Sequence, residues 1–193
     1  MRKTTGLSFY RRKKKINPSL VKEILAWAVE ICLTVAVTAI LVWLFGFRVS
    51  VVGSSMSPTL ENGDKILVNR FAYNIVAPKQ NDLVVFLPNG NQRSHYYIKR
   101  VIATPGDTVQ VKDGVVYVNG EALAEEADVT ETEHGMMAEE EITIGEDEYF
   151  VLGDNRSNSE DSRYASIGNV KKEHIIGKAW MIAAPFQKIG WIK

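Results

Sequence analysis

Residues 31–47 carry no formal charge, and residues 25–29 extend that apolar character upstream across Glu30. A helix crossing the hydrocarbon core of a bilayer needs about 20 residues, within a range of about 17–25. Residues 24–47 meet that requirement, with Glu30 as the one costly member in the first part of the span, within reach of the headgroups. Asn17 followed by Pro18 has the form of an N-cap with proline at the first helical position. A cleaved secretory signal would have an apolar region of only about 7–15 residues ending at a small-residue site. This run is longer and ends in Trp43-Leu44-Phe45-Gly46-Phe47, aromatic residues suited to a membrane interface. It reads as a permanent signal-anchor.

Charge orients that anchor. The chain balances 23 Lys and Arg against 23 Asp and Glu, but before Glu23 stand eight basic residues and no acid. The remainder holds 15 basic against 23 acidic residues, a net charge of −8. A Lys/Arg excess beside a first span holds that side in the cytoplasm, so residues 1–23 read as a cytoplasmic tail and residues 48–193 as an extracytoplasmic domain. An acidic remainder gives no electrostatic reason to expect nucleic acid as a partner. The single Cys32 lies in the apolar segment, so no intrachain disulfide can form.

After Arg48 the texture is that of β structure. Residues 49–52, 65–69, 82–87, 96–103, 108–112, 115–118, 149–152 and 175–184 are short runs rich in β-branched or aromatic residues. Turn signals separate them, of which Asp113-Gly114 between two apolar runs is the strongest hairpin signal. Strands at this spacing, with no long helical pattern between them, predict an all-β barrel or sandwich-like domain, mainly β overall. Residues 121–148 are acidic and read as an excursion from the β core, helical or mobile in part.

Three stretches carry candidate chemistry. The first is Val51-Val52-Gly53-Ser54-Ser55-Met56-Ser57-Pro58-Thr59-Leu60, which by itself fits a polar linker after a membrane helix as well as a nucleophile loop. The second is Tyr97-Ile98-Lys99-Arg100-Val101. Alternation along a strand sends Tyr97, Lys99 and Val101 to one face and Tyr96, Ile98, Arg100 and Ile102 to the other. A lysine on an apolar face loses hydration, its pKa falls, and the neutral amine can take a proton from a serine hydroxyl. Snorkelling to solvent is the ordinary fate of a strand lysine, so this reading leans on the third stretch, which runs from Gly153 through Asp154, Ser159, Asp161 and Ser162 to Arg163. It is either an exposed Asn- and Ser-rich loop or one fixed by ion pairs, with Ser159 and Ser162 available to a lysine. His95, His134 and His174 are scattered, with neither triad neighbours nor metal-ligand spacing. No phosphate-binding glycine loop is present, and no cofactor or metal is expected.

Together these stretches resemble the boxes of the bacterial type I signal peptidases, in the family's order and over nearly all of the region after Arg48. Ser55-Met56-Ser57-Pro58-Thr59-Leu60 resembles the serine box, and Asp82-Leu83-Val84-Val85-Phe86 the strand motif after it. Tyr97-Ile98-Lys99-Arg100-Val101 through Pro105-Gly106-Asp107 resembles the lysine box, and Gly153-Asp154-Asn155-Arg156-Ser157-Asn158-Ser159 through Asp161-Ser162-Arg163 the last box. One anchor and a short acidic excursion are similar to the compact Gram-positive form. The resemblance implies a membrane-anchored serine endopeptidase with a Ser–Lys dyad that removes signal peptides from exported preproteins after small residues in an Ala-x-Ala-like pattern. By motif, Ser55 would be the nucleophile and Lys99 the general base, with Ser159 hydrogen-bonding and orienting the Lys99 amine. Asp154 would pair with Arg100, and Asp161 with Arg163.

Some family members carry a serine two residues before the nucleophile, where its hydroxyl helps to bind the oxyanion. Gly53 occupies that position here, which leaves the role to backbone N–H groups, chiefly that of Ser55, with Ser54 the candidate substitute. The implied partners are signal peptides of secreted preproteins, the lipid bilayer of the cell membrane and, as a further candidate, the secretion translocon. Ser55 follows the apolar span by about eight residues, so it is tethered within about 26 Å of it. A self-cleaving Ser–Lys protease like the SOS repressors shares the dyad logic but has no use for an anchor. A non-catalytic membrane-tethered β module is the other reading, which an intact Ser55, Lys99 and Ser159 oppose.

Overall fold

A computed structural model of the chain describes residues 18–124 and 134–192. The chain divides into two compact units, one ending at Ile40 and the other beginning at Leu41. The basic tail up to Asn17, with the expected helix cap, lies outside the described residues.

Helix α1 (Pro18–Phe45) runs 28 residues, or about 42 Å at about 1.5 Å per residue. It is the one described helix long and apolar enough to cross a membrane, and its apolar window is wholly exposed. Thr34 and Thr38 turn their hydroxyls back onto the carbonyls of Glu30 and Thr34, each at 2.8 Å. Their protons are thereby satisfied within the helix itself, as an apolar solvent demands. The helix ends at Phe45, two residues before the end of the expected span. Phe47 opens strand β1 (Phe47–Ser50), where it pairs with Val68 and packs edge-on against Tyr96. Its aromatic character, which reads as membrane belt, serves the β domain instead.

That domain holds two antiparallel sheets. β1 pairs with β2 (Lys65–Asn69), and β2 with the long β11 (Ile175–Ala184). β11 in turn pairs with β3 (Leu83–Phe86), β3 with β4 (Tyr97–Ala103), β4 with β9 (Glu148–Leu152), and β9 with β10 (Val170–Lys171). β12 (Gly190–Trp191) adds to β11. The smaller sheet runs in the order β7 (Glu121–Ala122), β6 (Val115–Val118), β5 (Thr108–Lys112) and β8 (Ile142–Thr143). β5 and β6 form the hairpin expected at Asp113-Gly114: Lys112 faces Val115, and both turn residues have positive φ, as a two-residue turn of this hand requires.

The sequence of β3 explains how the large sheet is filled. All four of its residues are buried. Leu83 and Val85 join a core with Val49, Met56, Leu60, Ile66 and Ile98, while Val84 and Phe86 join one on the opposite face with Val101, Tyr149 and Val151. A strand covered on both faces is a continuous apolar run rather than an alternating one. A third core gathers Ile102, Phe150 and Leu152 of the large sheet with Val109, Val111 and Val116 of the small one.

Of residues 121–148, those described (121–124 and 134–148) are more structured than their acidity suggests, while 125–133 lie outside the described residues. β7 and β8 are edge strands of the small sheet, and Ala138 and Ile144 are fully buried in the third core. The only helical piece described there is the single 3-10 turn Met136–Ala138. The described part of the excursion is tied to the β core because a few small or apolar residues suffice to dock a segment whose other side chains are charged.

Candidate active site

β4 carries Lys99 at its middle, opposite Val84 of β3, in a strand with neighbours on both sides. Tyr97 and Val101 pack into the core of Val84 and Phe86, and Ile98 into the other. The alternation expected from the sequence is therefore present. Lys99 is only 3% exposed. Burial brings its amine down from the ordinary lysine value to about 8; Asp161 and Glu160 pull the other way, and Arg163 adds to the lowering. The amine also lies 5.7 Å from the centre of the Tyr97 ring.

Ser55 stands in the loop between β1 and β2, and Lys99 Nζ is 2.7 Å from its Oγ. At that distance a protonated amine donates to the hydroxyl, whereas a neutral amine presents its lone pair to the hydroxyl proton. Met56 and Leu60, both buried, anchor the loop from below. Its N-terminal side closes through Val51 N–H to Asp64 O and Gly63 N–H to Val51 O.

The loop from Gly153 to Arg163 grips the serine loop from the side. Asn155 N–H donates to Ser55 O at 3.1 Å. The Asn155 side-chain amide donates to Ser54 O at 3.2 Å, and that of Asn158 to Ser54 Oγ at 2.9 Å. Thr59 Oγ1 donates to Asp154 Oδ2 at 2.6 Å. Gly153 is required by the closeness of this approach: a Cβ there would lie 2.4 Å from Ser55 O and 2.2 Å from Ser159 Oγ.

Two buried ion pairs fix the gripping loop. Arg100 Nε and Nη2 donate to the two carboxylate oxygens of Asp154 at 2.8 and 2.7 Å. Arg163 Nε and Nη2 donate to those of Asp161 at 2.8 and 3.0 Å, and Arg163 Nη2 also reaches Arg156 O at 2.6 Å. Asp161 Oδ2 accepts from Gly153 N–H at 3.1 Å. Buried guanidinium–carboxylate pairs with their remaining donors satisfied hold a single arrangement, and losing one partner strands a charge. Both pairings are those expected from the motif.

Ser159 departs from expectation. Its hydroxyl is buried and makes no hydrogen bond, so the predicted bond to the Lys99 amine is not formed. The extended backbone after the 3-10 turn Arg156–Asn158 turns Ser159 Oγ toward Gly153, and the amine is directed at Ser55 instead. Ser162, the other serine considered for the lysine, accepts from Val151 N–H at 3.0 Å and is committed there.

A cleft of about 370 Å³ opens beside the pair, lined among others by Gly53, Ser54, Ser55, Tyr97, Lys99 and Asn158. Gly53 has φ of +85° and donates its N–H to Asn62 Oδ1 at 3.0 Å, with open space where a side chain would stand. The Ser55 N–H is engaged by no acceptor among the described residues. His95 lines the same cleft, while His174 lies beside Gly90 and Glu173. No histidine side chain bonds Ser55 among the described residues. Nor are three or more His, Cys, Asp or Glu side chains gathered there as metal ligands.

Asn155, Asn158 and Thr59 stand inside the boxes, but the bonds they make escape a sequence reading. Their only local signal is turn propensity, and their partners lie about 100 positions away.

The family model for signal peptidase, peptidase S26, matches residues 24–184. The probable signal peptidase I-2 of Synechocystis sp. is 37% identical over 71% of this chain and 62% of its own length. Signal peptidase I T of Bacillus subtilis is 35% identical over 92% of this chain and 91% of its own. A signal peptidase I of Enterococcus faecalis with a solved crystal structure is 33% identical, with a TM-score of 0.41, over 52% of this chain and 95% of that one. The boxes read from the sequence fall within the matched region, and on the family model and the sequence relatives the chain belongs to the signal peptidase family, peptidase S26.

Proposed function

We propose that the chain is a membrane-anchored signal peptidase that cuts exported preproteins with Ser55 as nucleophile and Lys99 as general base. The observation that carries this reading is the 2.7 Å contact between a serine hydroxyl at a cleft and a lysine amine whose burial lowers its pKa to about 8. The neutral amine takes the hydroxyl proton as Ser55 Oγ attacks the scissile carbonyl carbon. The oxyanion that forms is met by the Ser55 N–H, with the Ser54 hydroxyl as the candidate second donor. The Lys99 ammonium then gives its proton to the leaving amine. The acyl-enzyme is released by a water that the same amine deprotonates.

The substrate lies in the cleft as an extended segment with small side chains, of the Ala-x-Ala type, preceding the cut. The part of α1 from residue 24 onward sits in the cell membrane, with residues 1–23 on the cytoplasmic face. The β domain from residue 48 onward works outside, close to the translocon that delivers its substrates. Tethering enzyme and substrate to one bilayer raises their effective concentration.

Incubating the full chain in lipid vesicles with a synthetic signal-peptide substrate tests the reading. Wild type should cut after the small-residue motif and Ser55→Ala should not. Equal cleavage by both would refute it.

A further inference from the structure

We propose that Glu160 is a specificity-determining residue, a fixed negative charge at the substrate cleft that favours peptides with a basic side chain near the cut over those with an acidic one. This rests on the cleft being the peptide site described above.

The three carboxylates of the loop differ in what surrounds them. Asp154 and Asp161 are buried, and each is neutralised by a bidentate guanidinium. Glu160 is exposed, lines the cleft, and has no cationic partner within ion-pair distance among the described residues. It is nevertheless held. Oε1 accepts from Ser166 Oγ at 2.8 Å and Oε2 from the Tyr97 hydroxyl at 3.3 Å. Two neutral hydroxyls fix the direction of a carboxylate without cancelling its charge, and a carboxylate has lone pairs left for a further donor.

Among the described residues Glu160 is the one acidic side chain of the cleft wall. The lysine across from it is neutral when it attacks, so an arriving peptide meets net negative potential at this end. A Lys or Arg side chain of the substrate gains an ion pair there, and an acidic side chain meets repulsion. Tyr97, whose ring flanks the Lys99 amine and whose hydroxyl bonds Glu160, puts this charge beside the reacting groups.

The test is a set of peptides sharing one small-residue cleavage motif. Each carries Lys, Gln or Glu at one position, scanned from the second residue before the cut to the second after it. Values of kcat/KM are measured for wild type and Glu160→Gln at low and at about 0.5 M salt. At one or more positions wild type should prefer Lys over Glu by about 5-fold at low salt, the upper end of the range for an exposed ion pair. The preference should fall below about 2-fold in Glu160→Gln and shrink at high salt. His95→Gln, which removes the other chargeable side chain of the wall besides Lys99, should retain it. No preference in wild type, a preference untouched by Glu160→Gln, or one abolished by His95→Gln would overturn the proposal. A Glu160→Gln effect equal for all three peptides would also overturn it, because the charge would then act on Lys99 rather than on the substrate. The Gln peptide checks the underlying reading separately: its cleavage must stop in Ser55→Ala, and persistence there would overturn that reading instead.

Discussion

Lys99 Nζ sits 2.7 Å from Ser55 Oγ, although the two residues are 44 positions apart in the chain. β4 presents the lysine from the middle of the large sheet, and the β1–β2 loop carries the serine over it. A pair built this way needs no histidine. It needs a lysine dry enough to lose its proton and a serine loop that cannot drift.

Ser55→Ala should reduce kcat/KM to background with little change in thermal stability, because it removes one small hydroxyl from an open cleft. The paired measurements are a peptide assay and a melting curve. Retained activity in a folded variant would transfer the nucleophile role to Ser54 or Ser57.

Lys99→Met should stabilise the fold at neutral pH. The folded-state pKa of Lys99, about 8, lies below the ordinary lysine value. Between these two pH values the unfolded chain binds more protons, so stability rises with pH across that window. Below it, folding bears the full cost of dehydrating the amine, roughly 3 kcal/mol for a shift of this size. The advantage of Lys99→Met should therefore be largest below pH 8 and fade toward pH 10.5. A difference that does not change with pH would show that the amine is hydrated in the folded state.

Ser159→Ala should leave stability unchanged or raise it slightly, since it removes a buried hydroxyl that makes no hydrogen bond. Activity should change by less than about twofold, because the hydroxyl bonds neither Ser55 nor Lys99. Denaturant titration and kcat/KM measured on the same sample read both effects. A tenfold or larger loss of activity would show that the hydroxyl does act on Lys99 during the reaction, contrary to its position against Gly153.

Gly153→Ala should disable the site and destabilise the fold by about 1–3 kcal/mol, the scale of overpacking a close contact. The added methyl would be driven into Ser55 O and Ser159 Oγ. Asp154→Ala should be more costly, about 3–5 kcal/mol, because it leaves the Arg100 guanidinium buried without its carboxylate. Both are read from denaturant midpoints, and a neutral result for either would mean the loop adjusts more freely than its packing implies.

Much of this was legible in the sequence because it is encoded locally. The runs at 65–69, 108–112, 115–118 and 175–184 are the strands themselves, and Asp113-Gly114 is the turn it reads as. The alternation around Lys99 gives its face from five consecutive residues. The Arg100–Asp154 and Arg163–Asp161 pairs follow from opposite charges in recognisable motifs.

What was not legible depends on distant partners. Asn155 and Asn158 look like turn residues until Ser54 is brought beside them. Phe47 reads as membrane belt until Tyr96 and Arg70 pack on its ring. The docking of Ala138 and Ile144 into the third core is hidden in the sequence because they are few among many charges. The rotamer of Ser159, which decides whether its hydroxyl meets Lys99 or Gly153, is not encoded in any motif.

The pH dependence of kcat/KM tests the central claim, that Lys99 is the base, most directly. With a short peptide substrate the rate should rise through a single ionisation with its midpoint near pH 8, the value to which burial brings the Lys99 amine. His95→Ala, His134→Ala and His174→Ala should each leave that limb in place. Lys99→Arg should abolish it along with activity, because a guanidinium holds its proton throughout the range. An activity limb that survives in Lys99→Arg, or that disappears when one histidine is replaced, would contradict the account.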